Sequence, residues 1–492
     1  MRRAFLFFTF FILAFFCGCT TFKTQHFIAS SHRPSEDQRF FSALDHIVHK
    51  YHVREASNFT LKGFPYLRSD FFLAALKDRV TTSAQKEEWA ELMRQLDLKA
   101  RTKEINNLSP LAFKELSQKI SMPADKAAII GKTSEVSQQI FTHDKTQPGF
   151  YDTLKSVLAH PPTEYSTLQR VVGLCPLFIV PIIAGTNAAH KEFKNWHKRP
   201  EKEIKILGTL NTYTPSQRSD FAPLDLSLMF NPARRDALGI PQLTDDEIKR
   251  LTETFAPVFV QDTVDTYDRF GEIVWNQGHV SINTDKPTVY YYSSYAFIKD
   301  EPVLQVNYAI WYTGRSGPNA PWIERGSLDG LTMRITFSPS GEPLMLDIMN
   351  SCGCYHFYVP REDKITGVTE KPFVVAGLPQ KFPKERLSFR IKTGWHQVEH
   401  IGTSKNIKES KTYDLIPYDV LESLPHEDGQ RENVFNSTGI MKDSRRIEHY
   451  FLFSSGIPSV GSMRQRGHHA ISMVEQENFS DPKIFDKNFI FK

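Results

Sequence analysis

Apolar positions along the chain fall into two unbroken runs and two kinds of periodicity, and together these divide it. The first run, Ala4 to Phe16, follows Met1-Arg2-Arg3 and has the length of the apolar part of an export signal rather than of a membrane span. Residues 19–34 are mostly polar and irregular, as a tether would be. Spacing then becomes helical: Phe40, Phe41, Leu44, Ile47, Val48 and Tyr51 share a face, with Ser35 and Gln38 placed as a capping box. Phe71, Phe72, Ala75 and Leu76 repeat the pattern briefly, and Trp89, Leu92, Met93 and Leu96 give a third helix. Pro110, Pro123 and Pro161-Pro162 punctuate this region, which reads as a helical domain over 35–200.

The second run, Val171 to Gly185, is too short to cross a bilayer comfortably and contains Pro176 and Pro181, each of which removes a backbone donor. A buried interdomain segment or a membrane-contacting wedge fits it better, with Cys175 as a buried, inert thiol. Beyond residue 200 the period falls to two. Thr288 to Ile298 and Val303 to Tyr312 are rich in aromatic and β-branched residues and predict a hairpin turning at Lys299–Pro302. Leu331, Met333, Ile335 and Phe337 predict a second hairpin with Leu344, Leu346 and Ile348, and Arg386 to His400 contains a further strand. The expectation is an α+β protein: an N-terminal helical domain, then a β-rich, mainly antiparallel module over 201–492.

Composition adds little to this picture. Of 492 residues, 40% are hydrophobic and 24% charged, as in ordinary globular proteins, and the formal net charge of +4 comes without any block of like charge. Nucleic-acid binding therefore has no support. The 5 cysteines are Cys17, Cys19, Cys175, Cys352 and Cys354, which is no disulfide framework.

Phe16-Cys17-Gly18-Cys19 resembles a bacterial lipobox, with a small residue directly before the acceptor. The resemblance implies export, cleavage after residue 18 and acylation of Cys19. It departs from the family pattern in having Phe16 where Leu is usual. Thr20, not being Asp, implies the outer membrane, facing the periplasm. Anchoring by several acyl chains would be firm, since each buried methylene contributes about 0.8 kcal/mol.

The tightest polar constellation is Cys352-Gly353-Cys354-Tyr355-His356. On an extended segment Cys352, Cys354 and His356 share a face and could bind Zn(II) or Cu(I), with His396 or His468 completing the set. The spacing is tighter than that of common zinc pairs, so a local disulfide and two inert thiols stay open beside the metal. His396-Gln397-Val398-Glu399-His400 matches H-x-x-E-H, in which helical spacing lets two imidazoles bind zinc while Glu399 activates water. The alternation of Leu387, Phe389 and Ile391 argues for a strand there, which would turn Glu399 away from His396 and His400. Arg464, Arg466, His468 and His469 form a basic loop, read as solvated or anion-binding. Gln305 and Asn307, with Trp311 beside them, would line a ligand pocket or face water. Asp329, near Arg334, has the setting of a turn residue.

Residues 63–74, 305–315, 329–347 and 352–356 are similar to blocks of an uncharacterised proteobacterial envelope-protein family, a resemblance that implies one architecture and no activity. Three readings remain: an envelope lipoprotein with a Cys/His metal site, a metal-free binding or assembly factor whose helical half docks an envelope protein partner, and a zinc-dependent peptidase.

Overall fold

A computed structural model describes residues 36–216, 224–369, 372–375, 378, 386–403 and 410–492, with no side chain for Pro176. The export signal, Cys17, Cys19, Thr20, the tether and Ser35 lie outside the described residues. The α+β expectation holds: helices come first and a ten-stranded sheet follows.

Helix α1 (Glu36–Lys50) buries Phe41, Leu44, Ile47 and Val48, the face its spacing predicts. A short α2 (Phe71–Ala75) begins at Asp70, whose carboxylate accepts the Leu73 N–H. Helix α3 (Ser83–Asn107) starts from a Thr82–Gln85 capping box, which satisfies orphan donors from both sides. Pro110 opens α4 (Pro110–Lys119), where its missing N–H costs nothing. Two more helices, α5 (Lys126–Asp144) and α6 (Phe150–Val157), complete the bundle. Between α1 and α2 the chain forms a ribbon of β1 (Phe59–Leu61) and β2 (Phe64–Ser69), packed on α3. The helical pattern gave no sign of that ribbon.

The run at Val171–Gly185 becomes the end of α7 (Thr167–Val172) and the start of α8 (Cys175–Lys198). Pro176 sits in the first turn and Pro181 inside α8, and among the described residues no helix is long and apolar enough to cross a membrane. The buried-segment reading fails, because Leu177, Phe178 and Val180 are exposed; Cys175 is half-buried rather than buried. The polar end of α8 is anchored through Phe193 and Trp196 in the core of the sheet. The boundary near residue 200 thus ends a helix without separating two cores.

The sheet is built from β3 (Thr209–Pro215), β4 (Val258–Thr263), β7 (Thr288–Ile298), β8 (Glu301–Arg315), β9 (Gly326–Phe337), β10 (Pro343–Asn350), β11 (Phe357–Pro360), β13 (Leu387–Ile391), β14 (Val398–Thr403) and β15 (Lys411–Pro417). A separate ribbon, β5 (Glu272–Asn276) with β6 (His279–Asn283), and β12 (Ile365–Val368), paired with Phe489–Phe491, flank it. The order is β11-β10-β9-β8-β7-β15-β3-β4-β13-β14, antiparallel except where β15 meets β7 and β3 and where β13 meets β4. Both expected hairpins are present. The first turns on Lys299 and Asp300 alone, both at positive φ, and the Asp486 carboxylate accepts their N–H groups. That leaves Pro302 inside β8, opposite Phe297.

Both faces of the central strands are covered. Val306, Tyr308 and Ile310 join one core with Leu331 and Met333, while Ala309 and Trp311 join another with Cys352 and Met463. The helical bundle reaches the sheet through Phe297.

Candidate functional site

The connection from β10 to β11 turns sharply. Asn350 N–H donates to the Cys354 carbonyl (3.0 Å) and Gly353 N–H to the Asn350 carbonyl (2.8 Å). Gly353 adopts φ +91°, and a Cβ there would lie 2.2 Å from the Ala470 carbonyl oxygen, so only glycine fits. The turn folds Cys354 back so that its N–H donates to Cys352 Sγ (3.4 Å).

Behind this turn lies a buried ionic network. Arg315 grips Asp329 with two bonds of 3.0 Å and also reaches Glu324, which accepts the Tyr355 hydroxyl and, at 2.9 Å, the Trp395 indole N–H. Arg446 donates to the other side of Asp329 at 3.1 Å. Against the pull of burial, Arg315 and Arg446 hold the Asp329 carboxyl well below the usual carboxylate range. His396 continues the chain: its Nδ1 is 2.8 Å from Asp329, and its ring stacks on Tyr312. Its Nε2 lies 3.3 Å from Asp268 but off the line of a hydrogen bond. Burial opposes charge on His396, but the two carboxylates beside it, Asp268 and the hydrogen-bonded Asp329, prevail and raise its pKa.

In front of the turn is a cavity of about 1010 Å³. Cys352, Cys354, Tyr355, Glu324 and Glu448 form its polar end, and Phe178, Pro181 and Ile182 of α8 wall its apolar side. Glu448, on α9 (Glu448–Phe451), is 3% exposed, and its Oε1 has no hydrogen-bond partner among the described residues. Burial, reinforced by the neighbouring Cys352 thiolate, pushes its carboxyl up to about 8. Gly461, at φ +81°, makes room for that carboxyl, because a Cβ there would lie 1.5 Å from Glu448 Oε1. Cys352 is drawn down to about 7 by the Cys354 thiol and then by Arg315 and Arg446, while the same pairing drives Cys354 up.

No protein-family model, curated protein or solved structure matches the chain. Its chemistry therefore rests on the geometry alone.

Among the described residues no group of three or more His, Cys, Asp or Glu side chains is arranged to hold a metal ion. The expected zinc or copper set of Cys352, Cys354 and His356 does not converge. Tyr355 at φ +56° breaks the strand alternation, and Asp347 holds His356 through a 2.9 Å contact. His396 is committed to Asp329, and His468 to Glu164 (2.9 Å) and the Ala56 carbonyl (2.6 Å). The H-x-x-E-H segment lies in a turn followed by β14, not a helix, so the peptidase geometry is missing. Glu399 lies 3.7 Å from Arg390, and the half-buried His400 lies near His197 instead of a metal.

Gln305, Asn307 and Trp311 are buried and line none of the cavities described. Gln305 bonds Thr336 (3.0 Å), and Ser294 ties it to Asn307. These residues neither face water nor form a pocket, because the second face of the sheet is covered. The basic loop is not solvated either: Arg466 pairs with Glu422 and Asp419, and Gln465 reaches Glu55 in the helical half. Asp329, expected in a turn, is the centre of the network, while Arg334 pairs with Asp347. Glu448, Glu324, Arg315 and Arg446 escaped the sequence reading, since no spacing links them to Cys352; the glycines 353 and 461 were the only local signal.

Proposed function

We propose that this protein is an envelope lipoprotein, anchored through Cys19, whose body rests on the membrane by the apolar half of α8 and takes a lipid acyl chain into the cavity behind it. One observation carries the reading: the same half-helix is exposed at Leu177 and Val180 and walls the cavity with Pro181 and Ile182, while Phe178, itself exposed, belongs to both. An exposed apolar patch of this kind marks a membrane or partner contact. Leu168, Val171 and Val172 of α7 extend it, and Trp322 against Phe451 adds an aromatic rim. Lys191, Lys194 and Lys198 follow along α8, where anionic headgroups would meet them. The basic start, the apolar run and Gly18-Cys19 support the anchor, and Thr20 supports the outer membrane.

The decisive measurement is displacement of a fluorescent fatty acid from the purified protein, expected to saturate at one site. Leu177→Trp reports membrane contact. Its emission should be quenched by vesicles of anionic phospholipid brominated in the acyl chains. Absence of both signals removes the reading. For the anchor, mass spectrometry of the mature amino terminus should find diacylglycerol on Cys19, and an intact, unacylated terminus would overturn it. Elemental analysis should find neither zinc nor copper in stoichiometric amount.

A further inference from the structure

We propose that Cys352 and Cys354 are a redox-active dithiol that exchanges with a substrate disulfide brought to the polar end of the cavity, with Glu448 passing the proton. The inference needs the cavity as an entry path but is independent of whether its apolar end holds lipid.

Geometry places the three groups together. The turn closed by Asn350 and Gly353 brings the Cys354 N–H within 3.4 Å of Cys352 Sγ, and both cysteines line the cavity with Glu448. Their surroundings are unequal. Arg315 and Arg446 favour a thiolate on Cys352, whereas Cys354 keeps its proton, so one sulfur is built to attack and the other to resolve. Glu448 lies at the same end, buried, with an Oε1 that has no hydrogen-bond partner among the described residues, and burial favours its protonated form. His356 takes no part, because Asp347 holds it.

In the first step the Cys352 thiolate attacks one sulfur of the substrate disulfide. The substrate S–S bond breaks, a mixed disulfide forms on Cys352, and the departing thiolate takes the proton of Glu448. The Cys354 thiol then gives its proton to the Glu448 carboxylate and attacks Cys352 Sγ. The mixed disulfide breaks, the Cys352–Cys354 disulfide closes, and the second substrate sulfur leaves as thiolate. The substrate gains two electrons and the pair loses two, and Glu448 ends as it began.

The test equilibrates the full chain with graded ratios of reduced glutathione to glutathione disulfide, blocks free thiols by alkylation and weighs the peptide spanning Cys352 and Cys354. A parallel arm with a disulfide-bonded apolar peptide distinguishes a small thiol from a polypeptide as the preferred source. Conversion to an intramolecular disulfide is expected, with a midpoint at a finite ratio. Cys354→Ser should accumulate a glutathione adduct on Cys352, and Glu448→Gln should exchange about a hundredfold more slowly at an unchanged midpoint. The proposal is overturned if the wild-type pair stays open to alkylation at every ratio, or if Cys352→Ser forms its adduct on Cys354 as fast. Fatty-acid displacement on the same samples separates the two readings. Binding without exchange sinks the dithiol alone, and exchange without binding sinks the lipid alone.

Discussion

Two of the buried charged clusters in this protein treat charge differently. In the helical half, Arg68 bonds Asp97 (3.0 Å) and Glu104 (2.8 Å), and Arg101 returns to Asp97 (2.8 Å), all but sealed from solvent. Every carboxylate there faces a guanidinium, and the cluster lines none of the cavities described. Beside the sheet, Arg315, Asp329, Glu324 and His396 form a comparable chain, but it ends at a cavity, next to two cysteines and to Glu448, whose Oε1 has no hydrogen-bond partner among the described residues. Full pairing makes the first cluster a fastener between β2 and α3. The second keeps an acid and two sulfurs beyond what its guanidinium groups pair, and such uncompensated buried groups are retained at a cost to stability.

The contrast can be broken at its strongest point first. Arg68→Met leaves Glu104 buried without its bonded cation and Asp97 with Arg101 alone, and should cost about 3–5 kcal/mol in urea denaturation. A loss no larger than that of a surface substitution would mean that the cluster holds nothing together. Gly461→Ala comes next: its Cβ would strike the Glu448 carboxyl, so a loss of about 1–3 kcal/mol is expected, with slowed disulfide exchange.

Glu448→Gln sharpens the comparison through pH. Folded Glu448 titrates near 8 against an ordinary 4.5, so the fold favours its neutral form. Its contribution is intact below the ordinary value and is lost progressively as pH rises toward about 8. Wild-type thermal stability should therefore fall across that window relative to Glu448→Gln, and parallel profiles would show the carboxyl to be unperturbed. The smallest effect on stability belongs to the exposed half-helix. Phe178→Ser should change stability by no more than about 0.5 kcal/mol yet weaken fatty-acid binding and membrane contact.

Much of the secondary structure was legible. The spacing of Phe41, Leu44, Ile47 and Val48 located α1, because one-sided burial writes its period into the sequence. Alternation located β8 and the hairpin of β9 and β10 as well, but these strands are buried on both faces, so the polar half of the alternation makes hydrogen bonds and ion pairs inside the protein. Gln305 and Asn307, read as lining a ligand pocket or facing water, lie on that covered side. The ribbon at 59–69 is short and carries Arg68, a charge no local pattern marks as interior.

What the sequence alone determined was local: helix starts, hairpins, the exclusion of a membrane span by two prolines, and the proximity of Cys352 to Cys354. These follow from backbone chemistry acting over a few residues. The site was decided by tertiary structure. Arg315 reaches Cys352 from β8 and Arg446 and Glu448 from a segment more than a hundred residues further on, and His396 and His468 are held apart by Asp329 and by Glu164 with the Ala56 carbonyl. A charge buried far from its partner in sequence gains its meaning only when the fold supplies the counter-charge or withholds it.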